Sequence, residues 1–171
     1  MKQVGQNLRQ LAGKDAEGNT LPAPGLTIDV KHDAAFTTAR KLQGVVGKDY
    51  FAFVSDQSFG IGDKPDQVSV LRTTDPYEAL RVMGTNGWNY DISPEMVAAQ
   101  MRKWDSAFGL IIEGVGFDWL QASFKKQPAD MQTFAKEVYE FCPDAVDQGI
   151  ETVEALASEM KRTNSLYLWW D

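Results

Sequence analysis

Four acids and several side-chain amides stand among aromatic residues in this chain. FCPDAVDQG carries Cys142, Asp144, Asp147 and Gln148, and Asp118-Trp119 lies upstream of it. Thr85-Asn86-Gly87-Trp88-Asn89-Tyr90 and Trp169-Trp170-Asp171 complete the set. Carboxylates in such company can hold a hard cation through oxygen, and amides beside aromatic faces can bind a small polar ligand. The expected binding residues are Asn86, Trp88, Asn89, Tyr90, Asp118, Trp119, Cys142, Asp144, Asp147, Gln148, Trp170 and Asp171. Each also has a structural reading. Asn86-Gly87 is a turn dipeptide, Asp144 suits a helix cap, and tryptophans fill sheet cores.

Familiar catalytic devices are mostly missing, and no catalytic residue is assigned. His32 is the only histidine and Cys142 the only cysteine, so ordinary zinc ligation and a Ser-His-Asp triad have almost nothing to use. No metal site and no cofactor are expected. His32, in VKHDAA, reads as an exposed loop residue between a strand and a helix. Gly60-Ile61-Gly62 lacks the Lys-Ser/Thr that a phosphate loop needs. Cys142 sits on the apolar side of a corner, between Glu140 and Asp144, where an acidic field opposes a thiolate. It reads as a small buried hydrophobe.

The elements that must position these residues follow from periodicity. Val4, Leu8 and Leu11 are spaced as a short helix stopped at Gly13, followed by a polar, proline-containing loop to residue 24. Strands are expected at 25–31, 50–55, 68–72, 110–115, 119–125 and 166–170. Asp33 should cap a helix through Leu42 that stops at Gly44. Asp75-Pro76-Tyr77-Glu78 and Ser93-Pro94-Glu95 open two more helices, and Pro128 suits the first turn of another. Pro143 ends that helix at Cys142, Asp144 should cap the next turn, and Gly149 should supply its left-handed stop. A last helix carries Val153, Leu156, Ala157 and Met160. The fold class is α+β: a single domain over 25–171, with a mixed, mostly antiparallel sheet and helices packed on it. Residues 1–24 form an appended arm. Helix, strand pair and helix occur twice, which fits an internal β-β-α duplication.

If the terminal strand at 166–170 is an interior one, Asp171 stands at the end of the sheet. Its side chain and α-carboxylate together call for a cation, an arginine or helix N–H donors, with the Pro143–Asp147 turn as the expected source.

With 171 residues, 43% of them hydrophobic, the chain is long enough for one real core. A net charge of −7 opposes binding to nucleic acid or an anionic membrane, and permits a basic protein partner. One cysteine excludes an internal disulfide, and no apolar run approaches membrane-spanning length, so a cytoplasmic protein is expected.

DPYEALRVMGTNGWNY, GFDW, FCPDAVDQG and LYLWWD, in that order, resemble a bacterial family of uncharacterised proteins, domain of unknown function 4253. The resemblance covers about Asp66 to Asp171 and rests on its C-P-D motif and tryptophan-containing end. It implies a stand-alone cytoplasmic domain and carries no catalytic, cofactor or partner role onto any residue. The functional expectation is a non-catalytic binding or interaction domain, immunity-like in size and charge. The alternatives are a carboxylate- or metal-dependent enzyme and a small polar ligand binder at the TNGWNY loop.

Overall fold

The computed structural model describes residues 8–15 and 17–171. Its strands are β1 (Arg9–Lys14), β2 (Thr20–Val30), β3 (Phe51–Asp56), β4 (Asp66–Leu71), β5 (Leu110–Val115), β6 (Trp119–Phe124) and β7 (Ser165–Trp169). The helices are α1 (Ala35–Val46), α2 (Glu78–Val82), α3 (Pro94–Phe108), α4 (Met131–Phe141) and α5 (Val153–Thr163). Short 3-10 turns span His32–Ala34 and Trp88–Tyr90, and a π-helical turn spans Ala145–Ile150.

All seven strands form one sheet in the order β1-β2-β4-β3-β5-β6-β7. Every neighbouring pair is antiparallel except β3 and β5, which meet in parallel at Val54 and Gly114. The chain is therefore α+β with a mixed, mostly antiparallel sheet. The order helix, strand, strand, helix appears twice, as α1-β3-β4-α2 and α3-β5-β6-α4, and the two strand pairs meet at that central parallel contact.

Alternation along the strands splits the side chains between two faces. Leu120, Ala122 and Phe124 of β6 enter the larger core, which takes its helical side chains from α2 to α5. Trp119 turns to the other face, where Val30, Val54 and Val68 meet Ala35 and Ala39 of α1. Within the larger core Trp104 meets Phe134 and Phe141 edge-on, at centroid distances of 5.3 Å and 5.7 Å. Phe141 in turn meets Trp170 at 5.9 Å, again edge-on. Each such pair contributes about 0.5–1.5 kcal/mol beyond burial. The chain of rings braces Trp170 at one end of the sheet.

Several expected boundaries are corrected. Of the N-terminal helix, Val4 lies outside the described residues, and Leu11 belongs to β1, where the residues alternate inward and outward. Three apolar residues cannot distinguish a period of 3.6 from 2, and pairing with β2 decides it. The proline-containing loop becomes the first half of β2. Pro22 pairs with Ala12 beside a register irregularity, a place where a strand tolerates the missing N–H. Asp33 lies in a 3-10 turn and does not cap α1, which has no side-chain cap. That helix passes through Gly44 and stops at Gly47, whose φ of +79° suits glycine. Pro128 precedes α4 without starting it. Asp130 is the cap, accepting from the Thr133 N–H at 2.9 Å. β7 is an edge strand and ends at Trp169, one residue before Trp170.

Candidate functional site

The asparagine-rich turn is closed by its own backbone. Gly87 N–H donates to the Ile92 carbonyl at 2.9 Å and Ile92 N–H returns the bond at 3.1 Å. The loop is tied to the β5–β6 hairpin through Asn86 N–H to the Phe117 carbonyl at 2.9 Å. Thr85 Oγ1 adds a bond to the Gly116 carbonyl at 2.6 Å. Between these anchors the 3-10 turn leaves Trp88 72% exposed, a large aromatic face with no packing partner in the core.

The end of β7 reaches the same place. Trp170 N–H donates to the Asp118 carbonyl at 2.9 Å, and Asn89 Nδ2 donates to the Asp171 carbonyl. Asp144 ties all three segments together. Its Oδ1 accepts from Tyr90 Oη at 2.6 Å and Gln148 Nε2 at 2.9 Å, and its Oδ2 accepts from Asp171 N–H at 3.0 Å. Burial alone would push the Asp144 carboxyl up. Tyr90, the Asp171 N–H and Gln148 outweigh it and hold the group below the usual carboxylate range. The same contact with Asp144 pushes the Tyr90 phenol up to about 12.

Asp144 therefore does not cap the following turn, because its acceptors face Tyr90 and Asp171 instead. Gly149 does not stop that turn either. The positive φ falls at Glu151, at 74°. Asp171 meets a carboxylate from the Pro143–Asp147 turn, which accepts its backbone N–H, and not a helix donor or an arginine.

Asn86, Trp88, Asn89, Asp118, Trp170 and Asp171 line a cleft of about 430 Å³, completed by Glu17 and Phe117. Tyr90, Cys142, Asp144 and Gln148 tie the segments that form it but are not among its lining residues. Two expected site residues go elsewhere. Trp119 lies on the opposite face, stacked on Tyr167 at 6.2 Å. Asp147 points outward and accepts from Tyr139 Oη at 3.1 Å.

The cleft is rich in carboxylate acceptors, and it also holds the buried Trp170 Nε1–H, which has no described partner. Glu17, Asp118 and Asp171 supply carboxylates, and among the described residues no lysine or arginine lines it. Asn86, only 5% exposed, donates through Nδ2 to the Gly84 carbonyl at 2.7 Å, and its Oδ1 accepts from no described donor. Asp118 is exposed, yet partial desolvation comes first in raising its carboxyl above the ordinary value, and Asp171 and Asp56 add repulsion. Among the described residues no three His, Cys, Asp or Glu side chains converge where a metal ion could be held.

Cys142 is wholly buried, and its S–H donates to the Trp169 carbonyl at 3.0 Å. Burial pushes the thiol up to about 12. A maleimide should therefore leave the native protein unlabelled and modify it only in denaturant; rapid native labelling would contradict this burial.

Two features were missed by sequence reading. Glu17 comes from the turn between β1 and β2, and only the β1–β2 pairing delivers it to the cleft. His32 has a hidden partner: its Nδ1 lies 3.0 Å from Oδ2 of Asp66, a wholly buried carboxylate that also accepts from Ser58 N and Oγ. Burial pushes Asp66 up, but Ser58 and His32 together bring it below the usual range.

Residues 67–171, more than half of the chain, match the family described as Domain of unknown function (DUF4253). No curated protein and no solved structure matches the chain. Among the described residues no helix is long and apolar enough to cross a membrane.

Proposed function

The chain belongs to the DUF4253 family, whose description assigns no function, and from that premise we propose that it is a non-catalytic binding protein whose cleft receives a cationic side chain of a basic partner. One observation carries the reading. Three carboxylates and two asparagine side chains line a cleft that contains aromatic faces and, among the described residues, no basic one. A guanidinium or ammonium group would supply the missing donors and relieve the repulsion that Asp118 feels from Asp171 and Asp56. Trp88 adds an exposed ring over which a cation gains about 0.5–2 kcal/mol. The net charge of −7 would draw a basic partner towards the surface over a longer range. A reducing, cytoplasmic setting suits the single buried thiol.

The probe is Nα-acetyl-arginine amide, with the neutral citrulline amide as control and tryptophan fluorescence as readout. The arginine compound should change the emission saturably at millimolar concentration, and citrulline should be at least about tenfold weaker. Asp118→Asn should abolish the response without lowering the melting temperature. The sign follows from the raised carboxyl. A group whose proton affinity is higher in the folded state favours folding below the ordinary carboxylate value and opposes it as pH rises through the folded value. At neutral pH its removal is thus neutral or stabilising. Equal responses to arginine and citrulline, or binding that survives Asp118→Asn, would dispose of the cation reading.

A further inference from the structure

A second cleft lies on the face of the sheet where, among the described residues, α1 is the helix that packs. One 12-residue helix is too narrow for seven strands, and the uncovered strip beside it stays apolar. Ile111, at the start of β5 and pointing away from the larger core, is 48% exposed, and Tyr50 on the same cleft is 42% exposed. Together with Phe36 and Ala39 of α1 they line a cleft of about 310 Å³.

The charges around this cleft run against those of the rest of the protein. Arg40 is occupied by Glu113, with Nε donating to Oε1 at 2.8 Å. The remaining charged residues on the wall are Lys48 and Lys125, and neither has an acidic partner within ion-pair distance among the described residues. Two uncompensated cations beside an apolar floor, in a chain of net charge −7, form an amphiphilic site of opposite sign to the acidic cleft.

We propose that this cleft is a separate binding site for a small amphiphilic anion. The apolar tail lies against Phe36, Ala39 and Ile111, and the anionic head faces Lys48 and Lys125. Its volume lies at the lower end of small-molecule sites, which favours a compact ligand over a peptide segment. The proposal stands independently of the acidic cleft, which lies at the Trp88–Trp170 end of the larger core.

Isothermal titration with octanoate, and with 1-octanol as the uncharged analogue, tests it. Octanoate should bind with Kd near or below about 1 mM, at least about tenfold tighter than 1-octanol. The double variant Lys48→Ala/Lys125→Ala removes two exposed side chains, so it should keep the melting temperature and lose about tenfold in octanoate affinity. The Ile111 methyl resonances should shift during the titration. Octanoate binding no tighter than 1-octanol, an undiminished affinity in the double variant, or Ile111 methyls that stay still would each overturn the proposal.

Discussion

Asp144→Ala is expected to lower stability by about 2–3 kcal/mol, the range for losing charge-assisted bonds to a buried carboxylate. In a chain of this length that corresponds to roughly 5–10 °C in melting temperature. Asp144 is 2% exposed and is the common acceptor for Tyr90, Gln148 and the Asp171 N–H. Tyr90 and Gln148 are exposed enough to turn to water, so most of the loss falls on the ion's own bonds and on the Asp171 N–H. Asp144→Asn keeps one acceptor oxygen and should lie between wild type and alanine. The pH dependence has a definite sign. The folded carboxyl lies below its ordinary value, so its stabilisation is complete above the usual carboxylate range and is lost as pH falls through the depressed value. Urea unfolding at neutral pH and below about pH 4 should therefore show the wild-type advantage over Asp144→Ala shrinking in acid. An advantage unchanged across that interval would mean that the ionised carboxylate is not what ties the three segments together.

What could be read from residues alone was local. Ser93-Pro94-Glu95 opens α3 with a side-chain cap, the Cys142-Pro143 pair ends α4, and strict alternation in β6 assigns its two faces. These signals work because cap, proline and pleat act within a few residues. The structure brings the TNGWNY turn, Asp118 and the Trp170-Asp171 end together, although each of these residues also had a structural reading of its own. Long-range partners were not legible. Asp144 looked like a cap because its sequence neighbours offer N–H groups, yet its Tyr90 partner is 54 positions away. His32 is exposed as expected, but its partner Asp66, 34 positions later, becomes its neighbour only once β2 and β4 pair. β1 was lost for the same reason: its period shows only against β2. Trp119 was placed in the site by adjacency to Asp118, although a period of two sends consecutive side chains to opposite faces.

Gly87→Ala should cost about 1–3 kcal/mol, as overpacking does where neither side can retreat, and should remove the fluorescence response to Nα-acetyl-arginine amide. The backbone at Gly87, with φ −118° and ψ 72°, is open to other residues, so the effect is steric. An ideal β-carbon there would stand 2.7 Å from Cδ1 and 2.8 Å from Nε1 of Trp170. The ring is 2% exposed and is met edge-on by Phe141, and the turn is held by the Gly87–Ile92 backbone pair. Either the indole leaves its place or the turn opens, and Trp88 and Asn89 move with it. Gly149→Ala is the control. Its β-carbon would meet only the Asp144 carbonyl, at an ordinary 3.5 Å, and its φ is not positive. That change should be neutral or stabilise by up to about 1 kcal/mol through the unfolded chain. Thermal melts of the two variants separate a glycine required by its neighbour from one that is merely tolerated. A Gly87→Ala protein with wild-type melting and wild-type arginine response would show that the Trp170 ring yields easily, and a wall that yields cannot set the shape of a cation site.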